Sequence, residues 1–255
     1  MALVHFVEKG SGPPIIFLHG FCESLEVWND FASQLAQNYR IIMPDLPGFG
    51  KSVPLHGPFE LHDVGLALLT WLDALGITSC LLIGHSLGGY VTLDMANHQP
   101  ERFAGIGLIH STAYADTLEK KSGRDLVNDF VKRNGTEPFI KSFVPGLFAN
   151  PGHEAAVVVK KIANQTNPQS IIDYNLAMKN RRPQLDFLTY NQNPVLIVGG
   201  ENDSIIPIAT LHEQSRLNSR IQFHSLKDTG HMGMFESPLI MSQIIQNFAD
   251  LCNFR

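Results

Sequence analysis

The sequence has few cysteines, which argues against two classes of small domain: those held together by disulfide bonds and those held together by zinc. Its three cysteines, Cys22, Cys80 and Cys252, are odd in number, widely spaced and free of any C-x-x-C pair. They therefore predict neither a disulfide framework nor a zinc site. We expect a reducing, cytoplasmic setting for a chain of this composition.

The chain also has no long apolar run and no excess of positive charge. No uninterrupted apolar stretch approaches the roughly 18 residues that a membrane-spanning helix needs. The net charge of -5 offers nucleic acid no general electrostatic attraction. The N-terminal stretch MALVHFVEKG alternates as a β-strand does and lacks the basic and apolar regions of a signal peptide. We therefore expect neither a membrane nor a nucleic acid as partner.

Short apolar runs bounded by Gly, Pro or Asp recur along the chain. They lie at residues 15–20, 39–45, 80–86, 105–110, 194–200 and 221–226. Their hydrophobicity is continuous rather than alternating, which is typical of strands covered on both faces of a parallel sheet. Apolar residues at helical spacing occur at 60–76, 87–98 and 237–251. The alternation predicts an α/β fold with a mostly parallel, doubly wound sheet.

This alternation of strand and helix stops between residues 112 and 186. The stretch has no strand pattern, three helix-like segments (123–135, 153–165 and 170–180) and several prolines that break them. We predict a helical cap over 112–186, inserted into a core made of residues 1–111 and 187–255.

The predicted cap differs from the core in charge. It holds eleven Lys or Arg against eight Asp or Glu, a net of +3, whereas the rest of the chain carries -8. Ordinary solvated helix faces explain this difference. The alternative is a basic lid that attracts an anionic acyl substrate or an acidic carrier partner.

One serine stands between glycines at the end of a predicted buried strand, in GHSLGG at residues 84–89. A strand that turns abruptly into a helix holds its turning residue in a sparsely populated backbone conformation, and small neighbours make room for the turn. The pattern G-x-S-x-G is that of a nucleophile elbow. It would expose the Ser86 hydroxyl beside the first amides of the next helix, which favour negative charge.

Five motifs along the chain resemble those of one family. They are LHGF (18–21), PDLPGFGKS (44–52), GHSLGGY (84–90), GGENDSIIP (199–207) and DTGHMGMFESP (228–238). In these motifs and their order the chain resembles the α/β-hydrolase family, in the capped branch that contains many small serine esterases. The resemblance implies the α/β-hydrolase fold and a hydrolytic reaction.

A serine hydroxyl needs a base to become a nucleophile, and the base needs an acid to orient it. The resemblance implies His231 as the base, in the loop after the last strand, and Asp203 as the acid, after the strand at 194–200. Asp228 is the alternative acid, although it precedes His231 by only three residues and suits a role in shaping that loop. In some relatives the acid follows the strand at 105–110, where this chain has His110, and that departure favours Asp203.

The resemblance also implies an oxyanion hole and roles for the neighbouring residues. The backbone N–H groups of Phe21 and Leu87 would bind the oxyanion of the tetrahedral intermediate. His19 is a weaker candidate for the base, because the motif gives it a structural place. We expect His85 to be a packed residue, and Cys22 to be a buried thiol or to face the pocket.

We therefore expect a serine hydrolase that cleaves a carboxylic ester of small or medium acyl size through an acyl-enzyme intermediate. No cofactor is required, and the histidines and acids form no cluster with the spacing of a metal site. A lactonase, a thioesterase, a C–C bond hydrolase and a perhydrolase are alternatives within the same machinery. Haloalkane dehalogenases and epoxide hydrolases resemble the architecture but place aspartate at the elbow. The alternative from another class is a small-molecule receptor that retains the triad with little turnover.

Overall fold

Seven strands form one sheet in the computed structural model, which describes residues 4–252. The strands are β1 (Phe6–Lys9), β2 (Pro14–Leu18), β3 (Arg40–Pro44), β4 (Cys80–His85), β5 (Phe103–Ile109), β6 (Val195–Gly200) and β7 (Ile221–Leu226). Their spatial order is β1-β3-β2-β4-β5-β6-β7. β1 pairs antiparallel with β3, and each of the other neighbouring pairs is parallel.

The sheet confirms the predicted fold class. Each of the six apolar runs overlaps one strand from β2 to β7, and the alternating N-terminal stretch contains β1. The central strands β4 and β6 are buried along their whole length, as continuous hydrophobicity predicts. The outermost residues of the predicted core, 1–3 and 253–255, lie outside the described residues.

Within residues 4–252, eleven α-helices flank or cover the sheet. They are α1 (Asn29–Leu35), α2 (Leu61–Ala74), α3 (Leu87–His98), α4 (Leu118–Asn134), α5 (Thr136–Phe143), α6 (Ala155–Ala163), α7 (Pro168–Asn180), α8 (Leu185–Tyr190), α9 (Ile208–Ser215), α10 (Gly233–Glu236) and α11 (Pro238–Leu251). The three helices predicted for the core correspond to α2, α3 and α11. Two apolar clusters are built on alternate residues of the strands, so that β4 gives Leu81 to one and Leu82 to the other.

The helical insertion between β5 and β6 contains α4 to α8. The facing helices α4 and α7 are joined by buried amides, since Nδ2 of Asn175 donates to Oδ1 of Asn128 at 3.0 Å. α7 is also tied to the turn after β3, where the Tyr174 hydroxyl donates to the Pro47 carbonyl at 2.9 Å. α8 ends at Tyr190, beyond the predicted return to the core at 187. The division into core and cap domains stays a prediction.

Among the described residues, none of the helices has both the length and the apolar character that crossing a membrane demands.

Candidate active site

Ser86 occupies a sharp turn between β4 and α3. Its backbone has φ 49° and ψ -113°, and its N–H donates to the carbonyl of Ile109 at 2.9 Å. A Cβ at Gly84 would collide with the backbone of Gly88, and a Cβ at Gly88 would collide with the backbone of Leu18. The turn therefore requires glycine at both positions and strain at the serine between them.

Asp203 and His231 come from neighbouring loops at the carboxyl edge of the sheet, after β6 and β7. Nδ1 of His231 lies 2.8 Å from Oδ2 of Asp203. The other carboxylate oxygen, Oδ1, accepts the N–H groups of Ile205 at 2.8 Å and Ile206 at 2.9 Å.

The surroundings of Asp203 keep its carboxyl group ionised. Burial raises its pKa, but attraction to His231 and hydrogen bonds from His110 and His231 outweigh burial and hold the pKa well below its usual range. The carboxylate is thus able to orient the His231 ring and to stabilise that ring when it gains a proton.

His110 is a third member of this group that the sequence reasoning did not assign. Its Nδ1 lies 3.1 Å from Oδ2 of Asp203, and its backbone has φ 49°. Burial lowers the pKa of His110 to about 4, so the ring is neutral near neutral pH. Because a carboxylate oxygen only accepts, the hydrogen bond to Asp203 assigns the proton to Nδ1, which then cannot also accept the N–H of Gly200 at 3.3 Å. Its place directly after β5, beside the loop after β6, is the signal that would have identified it.

A buried ion pair lies behind the elbow. Nδ1 of His85 is 3.1 Å from Oε2 of Glu23, and the same oxygen accepts the N–H of Gly20 at 2.6 Å. Nε2 of His85 donates to the carbonyl oxygen of His231 at 2.9 Å. The pair therefore links the loop after β2, the elbow and the loop that carries His231.

Each member of this pair stabilises the charge of the other. Burial lowers the pKa of His85, but Glu23 outweighs it and leaves the pKa raised. Burial raises the pKa of Glu23, but His85 outweighs it and leaves the pKa lowered. Sequence reasoning treated His85 as a packed residue and missed Glu23, because no local pattern joins positions 62 residues apart.

One cavity of about 80 Å³ brings the predicted serine and histidine together. Its lining residues come from both the core and the helical insertion: Phe21, Glu23, Ser86, Tyr90, Arg124, Phe143, Leu147, Met178, Ile205 and His231. No hydrogen bond joins the Ser86 hydroxyl to the His231 ring in the part of the chain that the structure describes. Such bonds commonly tighten only when substrate is bound.

One of the two predicted oxyanion donors lines the cavity, and the other adjoins Ser86 in the chain. Phe21 lines the cavity, and Leu87 is the first residue of α3, next to Ser86. Within residues 4–252, neither backbone N–H donates a hydrogen bond. Both amides are therefore available to a ligand atom.

The remaining candidates of the sequence analysis lie elsewhere. His19 is buried, with Nδ1 2.8 Å from the Gly20 carbonyl oxygen and Nε2 accepting the N–H of Leu46 at 2.9 Å. Asp228 is exposed in a turn with φ 54°, which fits a role in shaping the loop. Cys22 is buried in the core, and burial raises the pKa of its thiol. None of these side chains lines the cavity.

Three groups in the site have atoms that metals bind. One ligand atom each from His110, Asp203 and His231 lies within 4.8 Å of the other two, and all three residues are buried. In both histidines, however, Nδ1 faces the carboxylate as a hydrogen-bond donor, and a protonated nitrogen has no lone pair for a metal. That no metal or cofactor is needed stays a prediction.

Comparison with known proteins agrees with this architecture. The alpha/beta hydrolase fold family matches residues 13–238, so the chain belongs to that family. A thermophilic esterase from Thermogutta terrifontis, solved with malate bound, superimposes with a TM-score of 0.93 at 27% identity, covering 98% of this chain and 94% of that one. The chain is thus similar to an esterase in both sequence and fold.

Two curated relatives are similar over most of this chain. Lipase 1 of Psychrobacter immobilis is 25% identical over 242 residues, covering 91% of this chain and 76% of that protein. The dihydrolipoyllysine-residue acetyltransferase component of an acetoin cleaving system from Pseudomonas putida is 28% identical over 239 residues, covering 92% of this chain. The match spans 63% of that relative's length.

Proposed function

We propose that the protein is a serine hydrolase that cleaves carboxylic esters with short acyl chains. One observation carries the proposal: Ser86, strained at its turn, shares a cavity with His231, whose ring is held by the carboxylate of Asp203 at 2.8 Å. A hydroxyl and an imidazole in one cavity, with a buried carboxylate behind the imidazole, are the components of nucleophilic acyl transfer.

The reaction would proceed in two steps. Oγ of Ser86 attacks the ester carbonyl carbon while Nε2 of His231 accepts the hydroxyl proton and Asp203 stabilises the resulting imidazolium. The N–H groups of Phe21 and Leu87 hold the oxyanion, and His231 returns its proton to the departing alcohol. Water then attacks the acyl-enzyme with the same base, and the free acid leaves.

The size of the cavity supports a short acyl group. Its volume of about 80 Å³ is far below the ~300–1,000 Å³ of pockets that hold drug-sized ligands. The aromatic rings of Phe21 and Phe143, with centroids 6.1 Å apart, form part of the wall that bounds this volume. We therefore expect acetyl and butyryl esters to be cleaved faster than octanoyl esters.

The three cysteines support the expected reducing compartment. Cys22, Cys80 and Cys252 are all free thiols. Burial raises the pKa of Cys80 and of Cys252 to about 12, so both remain uncharged and weakly reactive near neutral pH. A cytoplasmic location fits this state of the thiols.

The experiment that tests the function is turnover of p-nitrophenyl acetate, butyrate and octanoate. A hydrolase releases p-nitrophenol steadily beyond one equivalent of protein, with the acetate and butyrate ahead of the octanoate. Release that stops at one equivalent, or never begins, would instead support a receptor that retains the triad.

A further inference from the structure

One cation of the helical insertion lines the cavity of Ser86. Arg124, on α4, has its Nε bonded to Oδ2 of Asp116, and its Nη1 donates to Oδ1 of Asn175 at 3.0 Å. Among residues 4–252, its Nη2 donates no hydrogen bond. The guanidinium is therefore held in place by two partners while part of its donor fork is unused.

Positive charge exceeds negative charge around this arginine. The single carboxylate of Asp116 is shared with Arg181, whose Nη1 lies 2.7 Å from Oδ1. Lys120 lies close to both arginines: burial is the main cause that lowers its pKa, the carboxylate of Asp116 raises it, the two guanidinium charges lower it, and Asp203 raises it. Its Nζ donates to the carbonyl of Ile205, another residue of the cavity wall.

The negative groups at the cavity do not neutralise Arg124. The carboxylate of Glu23 also lines the cavity, but it is paired with His85 and with the N–H of Gly20. Asp203 is paired with His231 and His110 behind the wall. The Arg124 side chain is 19% exposed, so the surrounding protein limits the screening by water of an anion that binds its unused donor.

We infer that Arg124 binds a carboxylate on the acyl side of the substrate, so that the protein prefers half-esters of short dicarboxylic acids. The inference rests on the proposed function and adds the substrate class. A planar carboxylate matches the fork of a guanidinium, and a cavity of about 80 Å³ places such a group only a few bonds from the carbonyl carbon that Ser86 attacks.

The test compares two esters of the same shape. Monomethyl succinate and methyl isocaproate differ in that a carboxylate replaces an isopropyl group, and acid release from both is followed in a pH-stat. We expect the wild-type kcat/KM for the succinate half-ester to exceed that for the neutral ester by about 10- to 100-fold.

Arg124→Gln should lower the ratio of the two kcat/KM values, succinate half-ester over neutral ester, to about one, because the carboxylate loses its partner. Arg133→Gln is the matched control, because it removes an exposed cation from the same helix, α4, that does not line the cavity of Ser86. It should keep the preference. If Arg124→Gln fails to fold, Arg124→Lys retains the charge without the fork and should keep part of the preference.

The outcomes separate the inference from the proposed function. Cleavage of both esters with the neutral one preferred, or a preference unchanged in Arg124→Gln, would overturn the inference and leave the esterase intact. If neither ester is cleaved, the binding of succinate still tests the inference. Succinate should raise the Tm of the Ser86→Ala variant, and it should leave unchanged the Tm of the double variant that also carries Arg124→Gln. An equal rise in both would overturn the inference.

Discussion

Nδ1 of His110 lies 3.1 Å from Oδ2 of Asp203, the oxygen that His231 contacts at 2.8 Å. Two histidines thus share one carboxylate oxygen, and only His231 lines the cavity of Ser86. Because burial keeps His110 neutral, it donates to the carboxylate without cancelling the negative charge that His231 needs. We expect His110 to fix the position of Asp203.

The depressed pKa of His110 predicts acid sensitivity. Its folded pKa of about 4 lies below the ~6.5 of an unfolded histidine, so between these values the unfolded chain binds one more proton. This group therefore destabilises the fold as the pH falls below about 6.5, by about 2 kcal/mol at pH 5.

Urea unfolding of wild type and His110→Gln at about pH 7 and pH 5 measures this contribution. The free energy of unfolding should fall less with acid in the variant than in wild type. Equal losses in the two proteins would show that His110 titrates normally.

Glu23→Gln should lower the free energy of unfolding by about 3 kcal/mol, because it leaves the buried His85 ring without its counter-ion. Urea unfolding near neutral pH measures the change. Glu26→Gln, at a neighbouring exposed acid, is the control and should stay within about 0.5 kcal/mol of wild type. Equal stability of the two variants would mean that the Glu23–His85 pair contributes nothing to the fold.

Gly84→Ala should prevent correct folding or cost more than about 3 kcal/mol, because its Cβ would meet the backbone of the first turn of α3. Gly123→Ala, in α4, meets nothing within 4 Å and should stabilise the protein by about 0.5–1 kcal/mol. Thermal melting followed by circular dichroism compares the two. A Tm of Gly84→Ala at or above the wild-type value would contradict the geometry of the elbow.

Removal of metal should leave activity unchanged. The Nδ1 atoms of His110 and His231 each donate to Asp203, so neither is free to bind an ion in the hydrogen-bonded state. Dialysis against EDTA followed by the p-nitrophenyl acetate assay checks this. A loss of activity that added zinc restores would instead assign the three groups to a metal.

The strands of the sheet were predictable because local sequence patterns mark them. Continuous apolar runs mark strands buried on both faces, and the runs at 80–86 and 194–200 match β4 and β6 within a residue. Short helices were harder: α1 spans seven residues and α9 eight, too few turns to show a clear periodicity. The predicted cap at 112–186 contains α4 to α7 and the first two residues of α8, and its bounds as a domain stay a prediction.

The site was predictable where family motifs cover it and hidden where tertiary contacts build it. Ser86 and the loops of Asp203 and His231 lie in recognisable motifs, whereas the Glu23–His85 pair and the Arg124 guanidinium reach the cavity only through folding. Composition indicated a basic insertion, but only the arrangement of α4 shows which of its cations lines the cavity of Ser86.

Ser86→Ala should reduce ester turnover by about 10⁴-fold or more, because neither the nucleophile nor a substitute remains at the elbow. Its Tm should stay close to that of wild type, since the change removes a single hydroxyl. Retention of more than about a tenth of wild-type turnover would remove Ser86 from the mechanism.

The most direct measurement is the mass of the protein quenched in acid during reaction with p-nitrophenyl acetate, followed by peptide mapping. The account predicts one acetyl group on the peptide that carries Ser86 in wild type, and none on the same peptide of Ser86→Ala. Acetylation of another residue together with unchanged turnover in Ser86→Ala would contradict it.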